Sequence, residues 1–216
     1  MATLNEIAYS LADTMGQPLN HMLIERLKFT IKYYRAEFIR QDITKNGNST
    51  EYLQTVRIDL ILVDELDDCM VSTGCKVLRS KDKVPKPVRK NYIVPFKYVG
   101  FMGFKGAFTH RQGQAEQFAK FNKFTSCTVG YDYKNGYIYV TNTTKLKHAL
   151  IQDAFVDPED VNSFCSSEDG SNCYNDDMAF PIPEDMLRTI TDSIRRGELR
   201  VVGRDDKEIE IKEDKP

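Results

Sequence analysis

Nowhere in the 216 residues is there an apolar run approaching the roughly 20 that span a bilayer, which excludes a membrane-spanning helix. The opening residues, "MATLNEIAYSLADTMG", carry neither the basic leader nor the apolar stretch of a secretory signal, so the chain is expected to stay in the cytosol where it is made. Disulfides are then not expected, and the five cysteines, Cys69, Cys75, Cys127, Cys165 and Cys173, are odd in number and form no CxxC pair. The three histidines, His21, His110 and His148, lie far apart and make no short metal-ligand spacing. There is no G-x-S-x-G elbow and no P-loop. The acidic stretch with Glu168, Asp169, Asp176 and Asp177 lacks the residue order of a calcium loop. Gly100, Gly103 and Gly106 in "YVGFMGFKGAF" match no phosphate cradle and read as turns in a sheet. A cysteine nucleophile meeting a distant histidine only in the fold stays open, but no constellation points to an enzyme, a metal or a cofactor.

What is present is an ordinary folding composition: 41% hydrophobic and 29% charged residues, in a chain long enough to bury a substantial core. The formal charge of −2 hides an uneven distribution. Between residues 76 and 147 fifteen Lys and Arg face three acids, Asp82, Glu116 and Asp132, a net of +12. Residues 149–187 contain no Lys or Arg and ten acids, among them Asp157, Glu159 and Asp160, a net of −10. Either the fold interleaves the two blocks, or the subunit has unlike faces that attract in a head-to-tail contact of the kind that closes rings.

The local signals indicate an α+β fold with an N-terminal helical hairpin, an antiparallel sheet with hairpins, and a C-terminal helix followed by an extended tail. Thr3 and Glu6 form a capping box for a first helix, "DTMGQP" breaks it, and a second helix is expected from about residue 19 to about 42. "VRIDLILVDE" and "CKVLRS" read as paired strands, and a short helix is expected near 113–121. "CTVGYDYKNGYIYVTN" places Asn135-Gly136 between two alternating runs, the pair suited to a type I′ hairpin turn. "HALIQDAFV" is a further short strand. "KDKVPKPVRKN", with Lys81, Lys83, Lys86, Arg89 and Lys90, reads as an exposed extended loop, because proline disfavours helix at the residue before it. Pro183, Glu184 and Asp185 suit a helix start, Arg195 and Arg196 its end, and Gly197 is expected to stop it; "KEIEIKE" could add an edge strand. The expected organisation is a hairpin at 1–46, an α+β body with the C-terminal helix at 50–200 packed as one domain with it, and a charged tail at 201–216.

"FTIKYYRAEFIRQD" interleaves rings and basic groups in the linear text. Set at helical spacing, Leu23, Leu27, Ile31, Tyr34 and Phe38 form the expected core face, and Met22, Phe29, Tyr33 and Ala36 form a second apolar stripe. Lys28, Lys32 and Arg35 line up with Ile39 as a basic ridge between them. Nucleic-acid reading would want rings and basic groups on one exposed face, and most of the rings lie away from the ridge. The second stripe needs a cover, either another subunit or the first helix through Leu4, Ile7 and Leu11.

The stretches "LNEIAYSL", "IKYYRAEFIRQD", "GYIYVTN", "AFVDPEDV" and "FPIPEDMLRTITDSI" resemble, in this order, a structural protein of the crAss-like tailed bacteriophages, over nearly the whole chain from Leu4 to about Leu199. That group comprises virion proteins of the head-to-tail connector, or neck. The resemblance implies a non-enzymatic subunit that forms a ring with itself, in twelve copies to match a portal. It also implies contact with the portal protein and with other neck or tail ring proteins, genome DNA passing through without being read, and no membrane. It implies a place at the head-tail junction of the virion and in the host cytoplasm during assembly. The acidic insert 162–177 has no counterpart in the resemblance. On this reading the basic loop is an arm toward a neighbour or a lining of the DNA channel, the arm fitting a conduit that must not grip its genome. The alternative function is a soluble DNA-binding protein that uses the basic 76–147 block.

Overall fold

The structure, a computed structural model, describes residues 2–46, 50–64, 76–88, 95–164 and 174–208. The fold is α+β, and the chain divides into two compact units. One joins Met1–Asp42 to Asn175–Pro216, and the other is Ile43–Tyr174. The C-terminal helix therefore belongs with the N-terminal helices, not with the strand-rich body expected at 50–200. Local patterning marks where helices begin but carries no information about which distant apolar face each one meets.

The Ile43–Tyr174 unit is built on a seven-stranded sheet in the order β3-β7-β1-β2-β6-β5-β4. The strands are β1 (Gln54–Asp64), β2 (Lys76–Ser80), β3 (Tyr98–Gly100), β4 (Thr109–His110), β5 (Gly130–Lys134), β6 (Tyr137–Thr141) and β7 (His148–Asp153). β1 is long enough to serve both halves. Its first part pairs with β7, from Gln54↔Asp153 to Asp59↔His148, and its second with β2, from Leu60↔Ser80 to Asp64↔Lys76. All pairings are antiparallel except β4 with β5. The edges approach each other, since the Phe108 N–H donates to the Val99 carbonyl at 2.7 Å and Gly100 bridges Ala107. The sheet is curled, and one face of it holds the core.

Alternation along β1 sets that face: Val56, Ile58 and Leu60 point inward, joined by Leu78, Val99, Phe108, Ile138, Val140, Ile151 and Phe155. Each such side chain contributes about 1.5–3 kcal/mol by leaving water. The β5–β6 hairpin turns at Asn135 (φ 53°) and Gly136 (φ 87°), the left-handed pair its sequence demands. Gly100 is required for another reason, because a Cβ there would collide with the Gly106 carbonyl and the Tyr98 hydroxyl. Asp153 is fully buried, and its carboxylate accepts from the backbone N–H groups of Ala154 (2.8 Å) and Lys97 (3.2 Å). Asp59 and His148, cross-strand partners, meet at 2.7 Å. Partial burial would raise the Asp59 carboxyl, but the hydrogen bond from His148 and the charge of Arg57 hold it below its ordinary value. Burial, then the nearby Asp153 charge, pushes the Tyr131 hydroxyl well up. Beside the sheet lies α3 (Gln114–Phe121), close to its expected span.

The other unit comprises α1 (Leu4–Thr14), α2 (His21–Asn46) and α4 (Glu184–Glu208). Both hydrogen bonds of the α1 capping box form, Glu6 N–H to Thr3 Oγ1 at 3.1 Å and Thr3 N–H to Glu6 Oε2 at 2.9 Å. Gly16 (φ 71°) ends the first helix, and the Asn20 side chain caps the second by accepting from the Leu23 N–H. α1 buries Leu4, Ile7, Ala8, Leu11 and Ala12, and α4 buries Ile190 and Ile194. α4 does not stop at Gly197; it runs on to Glu208, so residues 201–208 are helix where a tail was expected. Gly197 is absent from the positive-φ glycines, so no C-cap forms there, and a mid-helix glycine costs only about 1 kcal/mol. Of "KEIEIKE", Lys207 and Glu208 are helical and the rest lies outside the described residues.

Candidate subunit interface

The face that α2 buries is Ile24, Leu27, Ile31, Arg35 and Ile39. This corrects the expected core face: Leu27 and Ile31 belong to it, while Leu23, Tyr34 and Phe38 sit half-buried at its edges. The shift has a chemical cause in Arg35, a residue that hydropathy assigns to the surface. Arg35 is fully buried; its Nε donates to the Pro181 carbonyl at 2.9 Å and its guanidinium carbon lies 5.6 Å from the centre of the Phe180 ring. The segment 180–182, with Phe180 and Ile182 buried, thus holds Arg35 of the supposed ridge in the core, and Ile39 is fully buried as well.

Lys28 is also committed within its own unit. Its Nζ lies 2.8 Å from Asp176 Oδ2 and 3.4 Å from Glu25 Oε1. The hydrogen bond to Asp176 holds the lysine pKa above its ordinary value against the opposing effect of desolvation. Lys32 is half-buried.

The second stripe is where the helix stays open. Met22 is 83% exposed, Phe29 73% and Tyr33 63%, on the side of α2 opposite Ile24, Leu27 and Ile31. Leu4, Ile7 and Leu11 of α1 are buried elsewhere, so α1 does not cover this stripe.

The basic segment is extended, as expected, yet it is not a free loop across residues 81–88. Lys81, Lys83 and Lys86 point outward, while Val84, Pro85, Pro87 and Val88 are buried between them. Backbone bonds hold the segment down: Val84 N–H to the Gly136 carbonyl (2.9 Å), Val88 N–H to Ala154 (2.8 Å) and Val156 N–H to Lys86 (2.9 Å). Arg89 and Lys90 lie outside the described residues. On the acidic side, Asp157 Oδ1 accepts from the Glu159 N–H at 3.0 Å and so caps the 3₁₀ turn Pro158–Phe164; Asp157 and Glu159 are half-buried and Asp160 is exposed. The 149–187 block is split, with Asp157, Glu159 and Asp160 in the strand-rich unit and Asp176, Asp177, Glu184 and Asp185 in the helical one.

Sequence reasoning passed over one feature. In α3 and the turn after it, Phe118 is 75% exposed, Phe121 91% and Phe124 86%, with Lys123 exposed beside them. The signal was available in "FAKFNKF", a ring at every third position, which a short helix with little to bury cannot hide.

Among the described residues no group of His, Cys, Asp or Glu is arranged to hold a metal ion, and no helix is long and apolar enough to cross a membrane. A cleft in the helical unit is lined by Glu6, Ile7, Leu11, Leu187 and Arg188, and the Glu6 carboxylate there is taken by its capping bond to Thr3. Cys127 is an exposed free thiol; the other four cysteines lie outside the described residues.

The candidate site is therefore a set of exposed apolar faces on ordered elements, suited to contact with protein. No curated protein matches the chain. A family model described as phage tail ring protein 2 matches residues 5–215. The chain belongs to this family of crAss-like phage ring proteins, structural components of the virion tail that assemble with other tail proteins.

Proposed function

We propose that the protein is a non-enzymatic ring subunit of the head-to-tail connector. Twelve copies close around the path of the genome, beneath the portal protein and against neighbouring neck or tail rings. Assembly takes place in the host cytoplasm. The observation that carries this reading is the stripe of Met22, Phe29 and Tyr33. A helix that buries Ile24, Leu27 and Ile31 on one side and leaves two rings and a methionine in water on the other is built to be covered twice. Within a ring the cover is supplied by a second copy, through a head-to-tail contact between unlike surfaces. Light scattering coupled to size exclusion, with the portal protein present, is expected to give one large symmetric assembly. A chain that stays monomeric and never binds the portal would overturn the proposal.

A second reading, DNA binding by the basic block, is favoured by one observation, the row of exposed Lys81, Lys83 and Lys86 on a backbone clamped to the sheet. In the ring this row faces either a neighbouring subunit or the DNA channel.

A further inference from the structure

Resting on the ring reading, we infer that Phe118, Phe121 and Phe124 form the other half of the ring contact and dock on the Met22, Phe29 and Tyr33 stripe of the next copy. Among its described side chains, α3 buries Ala119 and exposes its two rings. Phe118 and Phe121 stand in water at the cost of exposing apolar area that a solvated helix would fill with polar groups.

The display is nevertheless held in place. Thr125 Oγ1 donates to the Ala119 carbonyl at 3.0 Å, the Asn122 side chain accepts from the Phe124 N–H at 2.9 Å, and the Asn142 amide donates to the Thr128 carbonyl at 3.0 Å. Beneath them Arg111, itself buried, reaches the Thr125 carbonyl at 3.3 Å and the Thr128 hydroxyl. A buried arginine spent on ordering a surface turn pre-organises the rings that the turn carries. Pre-organisation lowers the entropic cost of docking.

The occupant is a second copy on three grounds. The chain belongs to a ring family, so each copy must present two different surfaces to its neighbours. Both patches are rich in exposed rings, Phe29 and Tyr33 on α2 and Phe118, Phe121 and Phe124 on α3 and the turn after it. Finally, five aromatics and a methionine at these exposures would bury roughly 800 Å² together, counting about 150–250 Å² for a whole ring side chain. That is the larger part of the roughly 1,200 Å² at which specific interfaces begin. A heterologous contact of this kind cannot be satisfied by one patch meeting its own copy.

The test uses two blocked full-length chains. One carries Phe29→Asp and Tyr33→Asp and keeps its α3 patch; the other carries Phe121→Asp and Phe124→Asp and keeps its α2 stripe. All four positions are highly exposed, so each chain is expected to fold, with an unchanged circular dichroism spectrum and melting temperature. Analytical ultracentrifugation, with portal protein present wherever the wild type requires it, should find neither chain in rings alone. Mixed, they should form a one-to-one heterodimer and nothing larger, because one intact contact remains. If the Phe121→Asp, Phe124→Asp chain builds rings like the wild type, the inference is wrong and the ring reading stands. If the mixture stays monomeric, the two patches do not meet. A wild-type chain that never assembles removes both readings.

Discussion

Arg35 and Lys28 show how far a single residue's role departs from its type. Both belong to the basic ridge read along α2, yet Arg35 is core and Lys28 is paired with Asp176 in its own unit. The pH dependence of that pair follows from the direction of its shift. The folded lysine pKa lies above the ordinary 10.5, so the contribution of the pair is fully present below about pH 10.5 and is lost as pH rises through the folded value. Lys28→Met is expected to cost about 1 kcal/mol at neutral pH, and the gap between the two proteins should close on the alkaline side. Thermal melts at about pH 7, 9 and 11 check this, and a gap that stays constant across them would mean that packing rather than charge holds Lys28.

Among the elements, the hairpin at Asn135-Gly136 and the helix α2 were legible to different degrees. Two residues with positive φ have a local chemical signature, so the hairpin is written in its own sequence. Gly136→Ala is expected to destabilise the protein by about 1 kcal/mol, because an L side chain at φ 87° is strained wherever space exists; a denaturant midpoint unchanged from wild type would contradict it. For α2 the helix was right, and of the second stripe Met22, Phe29 and Tyr33 are exposed while Ala36 is half-buried. The buried face was drawn one residue early at three of its five positions, because hydropathy cannot know that the Pro181 carbonyl and the Phe180 ring would receive an arginine. The same blindness let Gly197 pass as a stop. Termination needs a left-handed turn with its capping bonds, and a lone glycine supplies only the permission.

At the scale of the whole molecule, two units each carry an exposed aromatic patch; the basic block 76–147 lies wholly in the strand-rich unit, while the acidic block 149–187 is divided between the two. Unlike surfaces therefore come from tertiary grouping as well as from composition. The basic row supplies a discriminating prediction. On the ring reading, changing Lys81, Lys83 and Lys86 to Ser should leave DNA affinity weak in both proteins. A steep wild-type dependence of log affinity on log salt, flattened by about 2–3 in the variant, would instead favour the DNA-binding reading, since each phosphate contact contributes about 0.9 to that slope for duplex DNA.

Local chemistry by itself determined the α+β class, the capping box of α1, the hairpin turn, the strands around the core and the presence of a spare apolar face on α2. These depend on periodicity and on backbone angles that particular residues require, and both are written within a few positions of the chain. Only the tertiary structure decided that α4 joins the N-terminal helices, that Arg35 is interior, that the basic segment is clamped with its lysines outward, and that Phe118, Phe121 and Phe124 are held in water. The first three rest on a partner far away in sequence, such as Pro181 for Arg35 or Ala154 for the segment at Val88, whereas the phenylalanine turn is held mainly by near neighbours, Thr125 on Ala119 and Asn122 on Phe124.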